Sequence, residues 1–108
     1  MKKDKLISVL IPLYNEEESI NKLYSELLIV LEKYNYEVIF INDGSTDNSI
    51  QIIKEIINKN KNNIYLIDLY KNYGKSAALS EGFKYSKGNW IVTLDADLQD
   101  DPLEIPNL

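Results

Sequence analysis

The sequence predicts a three-layer α/β domain built on a mainly parallel, four-stranded sheet. Three observations carry that expectation. Short apolar runs alternate with stretches of helical periodicity in three successive strand-helix units. The runs are apolar throughout and do not alternate with polar residues, as strands buried on both faces do. Each run ends in a cluster of polar residues. At 108 residues the chain is the size of one domain with one core.

Leu6 to Ile11 reads as the first strand, within an apolar run reaching Leu13. That run is far too short to span a membrane. Asn15-Glu16-Glu17-Glu18 supplies acidic residues suited to the first turn of a helix, where the backbone dipole favours negative charge. Ile20, Leu23, Tyr24, Leu27, Leu28 and Leu31 then recur at the three-and-four spacing of one buried stripe. Val38 to Ile41 is the second strand. Asn42-Asp43-Gly44-Ser45-Thr46-Asp47 follows, with Asp43, Ser45, Thr46 and Asp47 as candidate caps for a helix whose apolar face holds Ile50, Ile53, Ile56 and Ile57. After the poor helix formers Asn60 to Asn63, Ile64 to Leu69 is the third strand. Gly74 opens a third helix in which Ala77, Ala78 and Gly82 would allow close approach to the sheet, and Gly88 sits where a left-handed C-cap is expected. Trp90 to Leu94 is the fourth strand. The whole reads as a Rossmann-like half-domain with expected strand order 3-2-1-4.

Charge and composition exclude several functions. The net charge is −5, with twelve lysines and no arginine, so no basic face is available to neutralise a nucleic-acid backbone. Without cysteine or histidine the chain offers no thiolate metal site and none of the commonest general base. Chemistry must come from carboxylates, lysines, tyrosines or a bound metal.

In open parallel sheets ligands lie beyond the carboxyl ends of the strands. Four polar clusters fall there: Pro12-Leu13-Tyr14-Asn15-Glu16, Asn42 to Ser45, Lys71 to Lys75, and Asp95-Ala96-Asp97 running on to Asp101. Asp95, Asp97 and Gln99 stand at i, i+2 and i+4. Alternate residues of a strand are roughly 6.6 Å apart, whereas Mg²⁺ ligands lie about 2.1 Å from the ion, so the chain must bend after Asp95 for these side chains to share one cation. Taken alone, this spacing fits a solvated acidic turn equally well; its place at a strand end favours a ligand site. Asp43 stands where a carboxylate can accept a hydrogen bond from a nucleobase or a ribose, or cap a helix. Lys71 and Lys75 flank Gly74, each with an ammonium suited to a phosphate or simply to solvent. Tyr14 is the tyrosine placed on the rim; Tyr24, Tyr34 and Tyr36 read as packing residues.

Together, Ile11-Pro-Leu-Tyr-Asn-Glu16, Ile41-Asn-Asp-Gly-Ser-Thr-Asp47, Asn72-Tyr-Gly-Lys-Ser-Ala-Ala78 and Asp95-Ala-Asp-Leu-Gln-Asp-Asp-Pro102 strongly resemble family 2 glycosyltransferases, from about Ser8 onward. The last motif is most similar to the branch of dolichol-phosphate mannosyltransferases and bacterial enzymes that load sugars onto undecaprenyl phosphate. The resemblance implies a GT-A fold, a UDP- or GDP-sugar donor, and inverting transfer to a lipid phosphate at the cytoplasmic face of the membrane. It implies that Pro12, Leu13, Tyr14, Glu16, Lys71, Lys75 and Ala96 line the nucleotide-sugar pocket and that Asp43 reads the base. Asp95, Asp97 and Gln99 would hold Mg²⁺ or Mn²⁺ on the donor diphosphate. Lys71 departs from the arginine common in relatives, which loses a bidentate fork. Relatives continue into an acceptor-binding half, which places the catalytic residues beyond Leu108. These 108 residues are therefore expected to be the donor half, inactive alone, with an open sheet edge that two copies could share.

A phosphate acceptor has a second pKa of about 6 and is largely ionised at neutral pH, so the absence of histidine is no obstacle. A polysaccharide or other cell-envelope acceptor would suit the same family. Two other classes fit less well. A nucleotidyltransferase needs glycines after the first strand, where this chain has Pro12 to Glu16. A phospho-receiver module needs an acidic pair there and a fifth strand.

Overall fold

The computed structural model describes residues 5–60 and 63–97. In chain order the elements are β1 (Leu6–Leu13), α1 (Ile20–Leu31), β2 (Asn35–Asp43), α2 (Ser49–Lys59), β3 (Ile64–Leu69), α3 (Lys75–Tyr85) and β4 (Trp90–Thr93). The four strands form one parallel sheet in the order β3-β2-β1-β4, as expected.

The pleat assigns the two faces. Ile7, Val9, Ile11 and Leu13 of β1, with Val38 and Phe40 of β2, pack against Ile20, Leu23 and Leu27 of α1 and Ile53 and Ile56 of α2. Leu10, Ile39 and Ile41 point the other way and meet Ala78 of α3. Among the described residues, helices therefore cover both faces, two on one and one on the other. Because α3 crosses over β1 and β2, β3 is left half-exposed and Tyr65 stands 48% open. Trp90 and Ile91 of β4 are exposed as well. Among the described residues no helix is long and apolar enough to cross a membrane.

Several local expectations need correction. Strand β2 runs from Asn35 to Asp43, longer than its apolar run, because backbone pairing with β1 extends from Leu6↔Asn35 to Leu13↔Asn42 regardless of side-chain polarity. Helix α1 starts at Ile20, with no acidic residue in its first turn. The amides of Glu16 and Glu17 are instead taken by Ser49 Oγ and an Asp47 carboxylate oxygen. Ala77 is exposed, so close approach rests on Ala78 and Gly82. Gly88 is not a left-handed cap: α3 ends on Ser86 in an extended conformation, and Gly88 is absent from the positive-φ residues. A side chain at Gly88 would collide with Ser8.

That contact belongs to a buried polar chain. The Ser8 hydroxyl donates to Glu37 Oε2 at 2.6 Å and accepts from Gly88 N–H at 2.8 Å, while Lys87 N–H donates to the same Glu37 oxygen at 2.7 Å. Glu37, only 6% exposed, thus fixes the loop that feeds β4. Glu37→Ala leaves a buried hydroxyl and an amide without their acceptor and is expected to cost about 2–4 kcal/mol in urea unfolding. Glu37→Gln, which keeps an acceptor oxygen, is expected to cost less.

Candidate functional site

The carboxyl ends of the strands enclose a cavity of about 410 Å³, lined by Pro12, Leu13, Tyr14, Glu16, Asp43, Asn72, Gly74, Lys75, Asp95, Ala96 and Asp97. Its size is in the range of small-ligand pockets. The cavity unites all four polar clusters. Asn72 and Gly74 are wall residues that inspection of charge alone did not single out. Lys71 lies outside the lining, its ammonium 5.1 Å from the centroid of the Tyr73 ring. Gln99 lies outside the described residues, and so does Leu108, beyond which the catalytic residues are expected.

Four segments line the cavity, and side chains tie three of them together, the loops after β1, β2 and β3. Asn15, at φ 53°, occupies the left-handed region that asparagine tolerates. Its Oδ1 accepts from Thr46 N–H at 2.7 Å and from Asp47 N–H at 3.3 Å, and its own N–H donates to Ser45 Oγ at 2.8 Å. Glu17 adds a further tie by accepting from Asn48 N–H. The loops after β1 and β2 are thereby stapled, which sets Tyr14 and Glu16 on the rim.

Asp43 joins the second loop to the third. One carboxylate oxygen accepts from Tyr73 N–H at 2.8 Å and the other from Gly74 N–H at 2.9 Å. It is 4% exposed and does not cap α2. None of the four candidate caps is the N-cap of α2, which is Asn48 with no side-chain cap bond; Asp47, one residue earlier, accepts from Ser49 N–H at 2.9 Å. Each Asp43 oxygen retains a lone pair beyond these bonds, so the carboxylate can still face a ligand. Gly44, at φ 79°, lets the chain turn away from Asp43, and a Cβ there would run into the backbone of Lys71 and Asn72.

Beyond β4 the chain does bend: Leu94 N–H donates to Leu10 carbonyl oxygen at 3.0 Å, then Ala96 and Asp97 form a turn. Asp95 and Asp97 both border the cavity, and the Lys75 ammonium is paired with Asp95 Oδ1. Among the described residues no three carboxylates gather to cage an ion. Two carboxylates beside a polar cavity nonetheless fit Mg²⁺ or Mn²⁺, which take one or two protein carboxylates and complete their shell with phosphate oxygens and water.

The acidic side chains feel one another. Burial pushes the Glu16 carboxyl above its ordinary range, and the negative charge of Asp97 adds to this, against a hydrogen bond from Ser19 that lowers it. A carboxyl whose pKa is raised by folding favours the native state below its unfolded value and loses that contribution as pH climbs through the folded value. Glu16→Gln is therefore expected to gain stability relative to the parent between acidic conditions, below pH 4.5, and neutrality. Paired thermal melts across that window check it.

The Glycosyl transferase family 2 model matches residues 8–108. The chain is 40% identical over 104 residues to the undecaprenyl-phosphate 4-deoxy-4-formamido-L-arabinose transferase of Pseudomonas fluorescens, covering 94% of this chain and 30% of that protein. It is 44% identical over 106 residues to the Aeromonas hydrophila protein of the same name, covering 96% and 32%. The chain thus spans about a third of the length of the curated relatives it matches. Among solved structures, the mannosyltransferase PcManGT from Pyrobaculum calidifontis, in complex with GDP-Man and Mn²⁺, shares the fold with a TM-score of 0.78 at 23% identity, over 86% of this chain and 28% of that one. TarS of S. aureus, in complex with UDP-GlcNAc, matches with a TM-score of 0.71 at 28% identity, over 84% and 26%. The motif order, the β3-β2-β1-β4 sheet and a family match over residues 8–108 agree: the chain belongs to glycosyl transferase family 2.

Proposed function

We propose that residues 1–108 are the donor-binding half of an enzyme that moves a sugar from a UDP- or GDP-sugar to a polyprenyl phosphate, inverting the anomeric carbon. The observation that carries this reading is the cavity at the strand ends in which Asp43, Lys75, Asp95 and Asp97 converge. The names of the relatives from P. fluorescens and A. hydrophila support the lipid phosphate acceptor. TarS, bound to UDP-GlcNAc, supports a nucleotide-diphosphate sugar as donor.

In this reading Pro12, Leu13, Tyr14 and Glu16 form one wall of the nucleotide pocket and Asp43 accepts from the base or the ribose. Lys75 meets the diphosphate, with Ala96 closing the wall beside it; Lys71 approaches only if it leaves the Tyr73 ring. Asp95 and Asp97, with Gln99, are the residues that would hold Mg²⁺ or Mn²⁺. When bound, such an ion neutralises charge gathering on the departing nucleoside diphosphate. The acceptor phosphate is already ionised and attacks without a strong base from this chain. The acceptor groove and the catalytic residues, placed beyond Leu108, belong to the part of the enzyme that the chain does not span, and the intact protein works at the cytoplasmic face of the membrane. β4, an edge strand among the described residues, where Trp90 and Ile91 are exposed, is the surface for any pairing of two copies.

Calorimetric titration with UDP and GDP, each with and without Mn²⁺, tests the reading. Binding of one nucleotide that strengthens with Mn²⁺ is expected. Binding of neither, in the presence of the metal, would remove the donor-site assignment.

A further inference from the structure

Lys75 is the first residue of α3, and Asp95 lies two residues beyond β4; the lysine ammonium rests on Asp95 Oδ1 within the shared cavity. Both ends of this pair are held by the fold. Asp43 grips the amides of Tyr73 and Gly74, which sets the backbone immediately before Lys75. Asp95 stands between Leu94 and Ala96, both buried, with Leu94 bonded to Leu10. The chain therefore delivers a cation of its own to a carboxylate that the donor-site reading gives to a divalent ion.

We propose that Lys75 is an internal stand-in for that ion, coupling metal binding to donor binding. The inference rests on the donor-site reading above. Without donor, Lys75 neutralises Asp95, and a divalent ion approaching the same carboxylate meets a resident positive charge. A diphosphate offers the ammonium new anionic oxygens. Lys75 moves to them on its flexible four-carbon stem, with a side chain already 59% exposed, and Asp95 is released. With its lysine end in solvent and its aspartate end half-buried, the pair can open on the lysine side without breaking any core contact. Each ligand then favours the state the other prefers, so the coupling is reciprocal.

The test is Mn²⁺ binding to the 108-residue chain, followed by loss of the free-ion electron paramagnetic resonance signal, with and without UDP or GDP, after subtracting the Mn²⁺ that the same nucleotide binds without protein. The parent is expected to bind Mn²⁺ about tenfold more tightly when its nucleotide is present. Lys75→Met is expected to bind Mn²⁺ alone about tenfold more tightly than the parent, with the enhancement by nucleotide reduced to the part that the diphosphate's own coordination of the ion supplies. Lys75→Arg, which keeps the charge, should restore the parental pattern, and thermal melts should show all three chains equally folded. If Lys75→Met leaves the nucleotide-free affinity unchanged or weaker while the parent keeps its nucleotide-dependent binding, the stand-in role is wrong and the donor site stands. If the parent binds no Mn²⁺ with either nucleotide, the donor-site reading fails and takes this inference with it.

Discussion

Asp97→Asn is expected to weaken metal-dependent nucleotide binding by roughly a hundredfold, equivalent to about 3 kcal/mol, while leaving the melting temperature nearly unchanged. The two halves of that expectation have separate causes. Asp97 is exposed, in the turn after β4, so its substitution opens no cavity in the core. What is lost is a full negative charge beside a diphosphate, where only a cation can bridge carboxylate and phosphate. Replacement by Asn keeps an oxygen but not the charge that draws a divalent ion. Calorimetry with Mn²⁺ held in excess, alongside a thermal melt of each protein, separates the effects. Removing Asp97 also takes away one of the charges that raise the Glu16 carboxyl, so that carboxyl should titrate at lower pH in the variant.

Gly44→Ala has the largest expected effect on the scaffold. At φ 79° an L side chain already costs about 1–2 kcal/mol, and here the added methyl would also meet the backbone of Lys71 and Asn72. Backbone cannot step aside as a flexible side chain can. The loop after β3 must shift, and the two hydrogen bonds from Tyr73 and Gly74 to Asp43 go with it. A total loss of about 3–5 kcal/mol is expected in urea unfolding. Nucleotide binding should fall too, because Asn72, Gly74 and Lys75 all line the cavity from that loop.

The contrast between these two positions marks what can be read from the sequence. Strand positions were legible because buried parallel strands are apolar throughout, strand order because it comes with the Rossmann-like fold class, and the rim clusters because polar residues gather where strands end. A bend after Asp95 was expected if its side chain were to share a cation with Asp97, and the chain does turn at Ala96 and Asp97. The scaffold within the motifs was not legible. Asn15, Ser45 and Asp47 bond across 30 to 32 residues of sequence, and nothing local to Asn15 announces that its side chain will hold the amides of Thr46 and Asp47. Asp43 looked like a cap for the helix that follows it, yet it holds amides 30 and 31 residues away. The start of α1 moved for the same reason: side chains from the loop after β2 and the first residue of α2 claimed the amides of Glu16 and Glu17. Gly88 suggested a turn because of its place after a helix, whereas its role is steric, set by Ser8 on a distant strand. A motif such as Asn42 to Ser49 is thus as much an instruction for holding three loops as for touching a ligand.

The most direct measurement is diffraction from crystals of this chain grown with Mn²⁺ and the nucleotide that titration selects, using the anomalous signal of the metal. One Mn²⁺ peak is expected about 2.1–2.2 Å from carboxylate oxygens of Asp95 or Asp97, with the diphosphate in the cavity beside Lys75 and the base toward Asp43. Nucleotide bound elsewhere would contradict the donor-site reading, for example in the second cavity of about 430 Å³ lined by Glu37, Tyr65, Tyr85 and Lys87. So would a metal peak away from both aspartates.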